Sequence, residues 1–96
     1  MSMIDYRKIA DFFDALSHPI RLRIVVELLR GRRCVGDIRE LVETKQPNAS
    51  RHLLLLKFNG IVDWRQEGRM KCYFLRSPQL IKDILKVLEK NKLSKL

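Results

Sequence analysis

The chain has 96 residues, enough for one small domain with a modest core. Hydrophobic residues make up 46% of it, which excludes a disordered chain, and 20 Lys and Arg against 11 Asp and Glu leave a formal charge of +9, which suits nucleic acid or an acidic membrane surface as partner. No apolar run approaches the roughly 18–20 residues of a membrane span, the start MSMIDYRKIADFF lacks the apolar stretch of a signal peptide, and two cysteines do not make a secreted disulfide framework, so a cytoplasmic protein is expected.

Asp5–Leu16 predicts the first helix, with Ile9, Phe12, Phe13 and Leu16 on one stripe. Ser17-His18-Pro19 interrupts it, and Pro19 opens a second helix with Ser17 or His18 as its cap. Ile20, Leu22, Ile24, Val25, Leu28 and Leu29 make this helix apolar around much of its circumference, which predicts a central position; Gly31 ends it. Arg32–Val35 has no helical signature and suits a small strand. Gly36 precedes a third helix, Asp37–Glu43, with Ile38, Leu41 and Val42 as core contacts and Asp37 placed to complement the helix dipole.

Thr44-Lys45-Gln46 makes a tight connection to the stretch Lys45–Gly60, KQPNASRHLLLLKFNG. Pro47 suits the first turn of a helix, Leu53, Leu56 and Phe58 are placed to share a buried side, and Gly60 can take positive φ and stop the helix. Its first turns carry Gln46, Asn48, Ser50, Arg51 and His52, short or forked hydrogen-bonding groups of the types that read base edges or grip phosphates. A short turn between two helices, the second bearing such groups, is a helix-turn-helix. The plainer alternative is an amphipathic helix with a solvated face.

Ile61–Trp64 and Cys72–Leu75 are rich in β-branched and aromatic residues and flank Arg65–Lys71, which predicts a hairpin with Gly68 at its tip and Arg65, Arg69 and Lys71 placed to lie over a phosphate backbone or minor groove. Pro78 starts the last helix, where Leu80, Ile81, Ile84, Leu85 and Leu88 form a stripe; Asn91–Leu96 is expected to fray. The fold class expected is mainly α with a small β-hairpin, a winged helix-turn-helix of about five helices and a wing in one domain. Residues 44–76 hold seven basic and two acidic groups, so much of the excess charge lies on the reading helix and hairpin.

At this point the residues resemble one family closely, the ArsR/SmtB-like transcriptional repressors. Ala15–Ile24, ALSHPIRLRI, is similar to the family's ALSxPxRLxIL; Gln46–Leu53, QPNASRHL, to its recognition helix SQPTVSRHL; Asn59–Val62 to its AGLV turn; and Gly68-Arg69, Tyr73 and Leu75 to its wing pattern GRxxYYxL. The resemblance covers about residues 9–88. It implies a homodimer on a partly palindromic operator in double-stranded DNA, with the first and last helices as interface. The stripe on Pro78–Leu88 independently suggests burial under a second copy, with packing against its own domain as the alternative.

Family members often release DNA on binding metal or changing thiol state. Of the family's thiolate site ELCVCDL, the matching run Arg32–Ile38 keeps only Cys34, with Gly36 in place of the second cysteine; one thiolate cannot hold a soft metal. The Asp and His site on the last helix is absent because Pro78–Leu88 has no His, and His18 and His52 lie far apart in the pattern, His18 suiting helix entry and His52 a DNA or packing contact. No metal or cofactor is therefore expected. If Arg32–Val35 pairs with the wing, Cys34 and Cys72 lie on adjoining strands, where a disulfide or persulfide needs Cα atoms within about 7 Å. Arg32 and Arg33 would also lower the Cys34 thiol pKa. Ordinary buried cysteines and an unregulated repressor stand beside this thiol switch as alternatives. A protein-interaction winged helix fits the basic excess poorly, A-form RNA has too narrow a major groove for the reading helix, and no nucleophile–base pair, phosphate-cradling loop or paired carboxylates point to an enzyme.

Overall fold

The computed structural model describes residues 3–42 and 46–93. The element order is α1 (Tyr6–Leu16), α2 (Pro19–Leu28), β1 (Arg33–Cys34), α3 (Val35–Val42), α4 (Gln46–Phe58), β2 (Val62–Glu67), β3 (Met70–Leu75) and α5 (Pro78–Lys90), a winged helix-turn-helix with five helices and a three-stranded sheet.

Three helix boundaries have a clear local cause. The Asp5 carboxylate accepts from the Lys8 amide at 3.0 Å and caps α1. His18 caps α2 instead of the more usual Ser17, its Nδ1 accepting from the Ile20 amide at 3.1 Å, with Pro19 at the first helical position. At the end of α4 the Ile61 amide reaches the Leu56 carbonyl at 3.0 Å and the Gly60 amide reaches Lys57 at 3.0 Å. These are the two bonds of a Schellman motif, and Gly60 has the φ of +72° it requires.

α3 begins at Val35, directly after β1, two residues earlier than the sequence suggests; Gly36 lies inside its first turn with an ordinary backbone rather than before the helix. The connection predicted at Thr44-Lys45-Gln46 and the end of the tail, Ser94–Leu96, fall largely outside the described residues.

The core joins Ile24, Val25 and Leu28 of α2 to Ile38 and Val42 of α3, Leu53 and Leu56 of α4, Val62 and Leu75 of the sheet, and Ile81 and Leu85 of α5. The central position expected for α2 is thus found, although Leu22 on its outer side is exposed. Phe58 departs from the expected buried side of α4: it is 85% exposed, because a position two residues beyond Leu56 points well away from the Leu53–Leu56 stripe. On α1, Phe12 and Leu16 pack on the core, while Ile9 and Phe13 stay exposed.

The sheet runs antiparallel in the order β1-β3-β2. β2 and β3 pair from Val62↔Leu75 to Glu67↔Met70 around the two-residue turn Gly68-Arg69, with Gly68 at φ +63°. β1 adds only Arg33↔Tyr73 and Cys34↔Cys72.

Candidate nucleic-acid interface

α4 presents two distinct faces. Ala49, Leu53 and Leu56 are fully buried, while Asn48, Ser50 and Arg51 stand exposed on the opposite side. Gln46 begins the helix, and Lys45 lies outside the described residues. His52 falls on the inward side. It is 9% exposed, and its ring lies 4.5 Å from that of His18, so the two histidines that seem remote in sequence are neighbours. That burial favours the packing role for His52 over direct DNA contact.

The wing supplies three exposed cations, each in different surroundings. Arg65 donates to the Glu67 carboxylate at 3.0 Å and lies 5.8 Å from the centre of the Phe74 ring. Glu67 also accepts from Arg32 at 2.7 Å, and the hydrogen bonds from Arg32 and Arg65 hold its carboxyl below the usual carboxylate range. Lys71 sits 4.3 Å over the Trp64 ring, which steadies its ammonium group without removing its charge. Among the described residues neither Arg69 nor Lys71 is in an ion pair.

A groove between α3, α4 and the wing brings Ser50, Arg69 and Lys71 to one place and adds Arg39 from α3. Arg39 has a buried Nε without a hydrogen-bond partner. Nothing in the sequence singles this residue out, because a lone arginine on the helix before the turn carries no motif.

Cys34 and Cys72 are joined by a disulfide across the β1–β3 pair, with Cα atoms 3.8 Å apart. The strand pairing that the sequence could state only as a condition is therefore present, and it brings the two residues within linking reach. Among the described residues no group of three or more His, Cys, Asp or Glu is placed to hold a metal. No helix there is long and apolar enough to cross a membrane.

The sequence model of the bacterial regulatory protein arsR family matches residues 18–63, from the α2 cap through α4 into the wing. An uncharacterized HTH-type transcriptional regulator, MJ1325 of Methanocaldococcus jannaschii, is 36% identical over 91% of this chain and 98% of its own length. The chain belongs to the ArsR family. Like the other members it matches, this ArsR-family chain is a transcriptional regulator with a winged helix-turn-helix, and its relatives are regulators rather than enzymes. A CadC homolog, described as a cadmium resistance transcriptional regulatory protein of Staphylococcus aureus, is 41% identical over 70% of the chain, which spans only 56% of that protein. Among solved structures, the homodimeric winged helix-turn-helix DNA-binding domain Mb0332 of Mycobacterium bovis superposes with a TM-score of 0.84 at 26% identity, covering 94% of this chain and 91% of that one.

Proposed function

We propose that the chain is a cytoplasmic repressor, a single domain that binds a palindromic DNA operator as a homodimer through α4 and the wing. The observation that carries this reading is the exposure of Asn48, Ser50 and Arg51 on one face of α4 beside the cations of the wing. In this reading Lys45, Gln46, Asn48, Ser50 and Arg51 meet bases and flanking phosphates, while Arg65, Arg69 and Lys71 meet the backbone beside the groove. The position of Arg39 supports adding it as a phosphate contact. α1 and α5 form the dimer face, in keeping with the apolar cleft between Ile9, Phe12, Phe13, Leu80 and Ile84.

Two wing and helix substitutions separate backbone grip from base reading. Arg69→Ala should lower the slope of log affinity against log salt by about one unit for every DNA sequence alike. Arg51→Ala should weaken binding by about 1–3 kcal/mol at one base position if it reads guanine, and uniformly if it holds phosphate. An unchanged affinity after Arg51→Ala removes it from the contact surface.

Thiol oxidation is the proposed switch. Two electrons and two protons pass from the Cys34 and Cys72 thiols to a hydroperoxide, which becomes an alcohol and water, and an S–S bond ties β1 to β3. The link fixes the wing against the start of α3, and the reduced wing is the form that closes on DNA. The pairing Cys34↔Cys72 supports it. The test is selection from a random duplex pool at moderate salt, with protein reduced and then oxidised. A palindrome with half-sites about one helical turn apart supports the dimeric repressor. Loss of binding on oxidation, kept in Cys34→Ser, supports the switch; indifference to oxidation sinks the switch and leaves the repressor. No enriched sequence favours a protein-interaction role for α4.

A further inference from the structure

One arginine ties three helices together. Arg21 of α2 donates from Nε to the Ala15 carbonyl at 2.7 Å and from Nη2 to the Asp14 carbonyl at 3.4 Å, which engages the end of α1. Its Nη1 faces His52 Nδ1 of α4 at 3.4 Å. Arginine has only donors, so His52 Nδ1 must be the acceptor and therefore carry no proton. His18, whose ring packs on His52, uses its own Nδ1 to accept from the Ile20 amide and cap α2. Both imidazoles thus perform their contacts only when neutral.

The surroundings of His52 oppose a second charge there. Its ring is desolvated, and the titratable and charged groups acting on it are His18 from the α1–α2 connection, Arg21 from α2 and Arg51 from its own helix. None is a carboxylate; α1 contributes the two carbonyls, and both are taken by Arg21. Burial first, and then the electrostatic influence of His18, Arg21 and Arg51, holds the His52 pKa below the ordinary imidazole value.

We propose that His52, Arg21 and His18 form a proton-sensitive strut that sets the recognition helix α4 against α1, so that sequence-specific DNA binding requires His52 to be neutral. The proposal rests on the reading of α4 as the DNA-reading helix. His52 is a positioning residue in it, acting through the orientation of the exposed Ser50 and Arg51 beside it. Acidification puts a proton on Nδ1, turns its contact with Arg21 into donor against donor, and adds a charge in a desolvated place. The α1–α4 connection through Arg21 is then lost. The sign is diagnostic, because protonation of a protein ordinarily strengthens its hold on a polyanion.

The experiment measures affinity of the full chain for a pool-selected duplex and for a scrambled duplex across roughly pH 8 to 5, with circular dichroism confirming folded protein at each point. Specific affinity is expected to fall by about three- to thirty-fold towards acid while scrambled-duplex affinity holds or rises. His52→Gln, whose amide oxygen accepts from Arg21 without titrating, should give a specific profile clearly shallower than the unaltered protein's, with His18 as its remaining imidazole. A specific affinity that holds or tightens in acid overturns the strut, as does a wild-type slope in His52→Gln. Should that variant not fold, the His52 ring titration of the unaltered protein decides by NMR. Linkage requires its midpoint to drop when the selected duplex is added, and an unchanged or raised midpoint overturns the proposal. Failure of the underlying reading looks different, since no duplex would then be selected at neutral pH.

Discussion

Phe13→Glu is expected to leave a folded monomer that binds a two-half-site operator about 10²–10⁴-fold more weakly than the unaltered protein. Phe13 is 56% exposed in the single chain and meets Phe12 edge-to-face at 5.4 Å, at the mouth of a cleft whose far wall is Leu80 and Ile84 of α5. A surface substitution of this kind changes the stability of its own domain little. Buried in a dimer, the new carboxylate would have to shed its water in a cleft walled mainly by apolar side chains. The DNA loss then comes from geometry: with the subunits separate, the second half-site is no longer reached as an intramolecular event. Sedimentation equilibrium gives the mass, a thermal melt the fold, and a titration with operator DNA the affinity. A variant that stays dimeric and binds as before would remove the α1–α5 cleft as the interface.

Leu53→Ala should destabilise the domain by about 2–5 kcal/mol, whereas Leu54→Ala next to it should change stability by no more than about 0.5 kcal/mol. Leu53 is fully buried against the core and Leu54 is 65% exposed in the groove beside the wing. For a chain of this size the first figure lowers the melting temperature by at least about 8 °C. Equal melting temperatures for the two variants would mean that the helix is rotated from the orientation described. The four consecutive leucines, Leu53 to Leu56, make that rotation the sensitive point of the interface, because a turn of one residue exchanges buried and exposed members and carries Ser50 and Arg51 with them.

The elements of the fold were legible where a backbone constraint left a residue signature. Pro19, Pro47 and Pro78 all stand at helix starts, and Gly60 and Gly68 mark positions of positive φ, because few other residues fit there. Gly36 carries no such signature: placed before the third helix by the sequence, it lies inside that helix with an ordinary backbone. Phe58 shares the hydrophobicity of Leu53 and Leu56, but helical geometry carries it off their stripe. The site divides in the same way. The exposed residues of α4 and the cations of the wing follow from residue type and element, whereas the His18–His52 pair depends on how α2 and α4 cross and leaves no local trace in a chain where 33 residues separate them. The Cys34–Cys72 juxtaposition lay between these cases, conditional on a strand of two residues.

That two-residue strand has a consequence for how the molecule opens. The β2–β3 ribbon closes around a turn of two residues and can form early, but β1 joins it only by closing a loop across 38 residues that contains α3, α4 and β2. Held by two residue pairs alone, β1 would be a small cooperative unit whose amides exchange with solvent by local opening, well before those of the core strands. A covalent bond between its Cys34 and the central strand abolishes that independence. With that bond in place, the outer edge of the sheet is expected to open only when the whole domain unfolds, rather than alone.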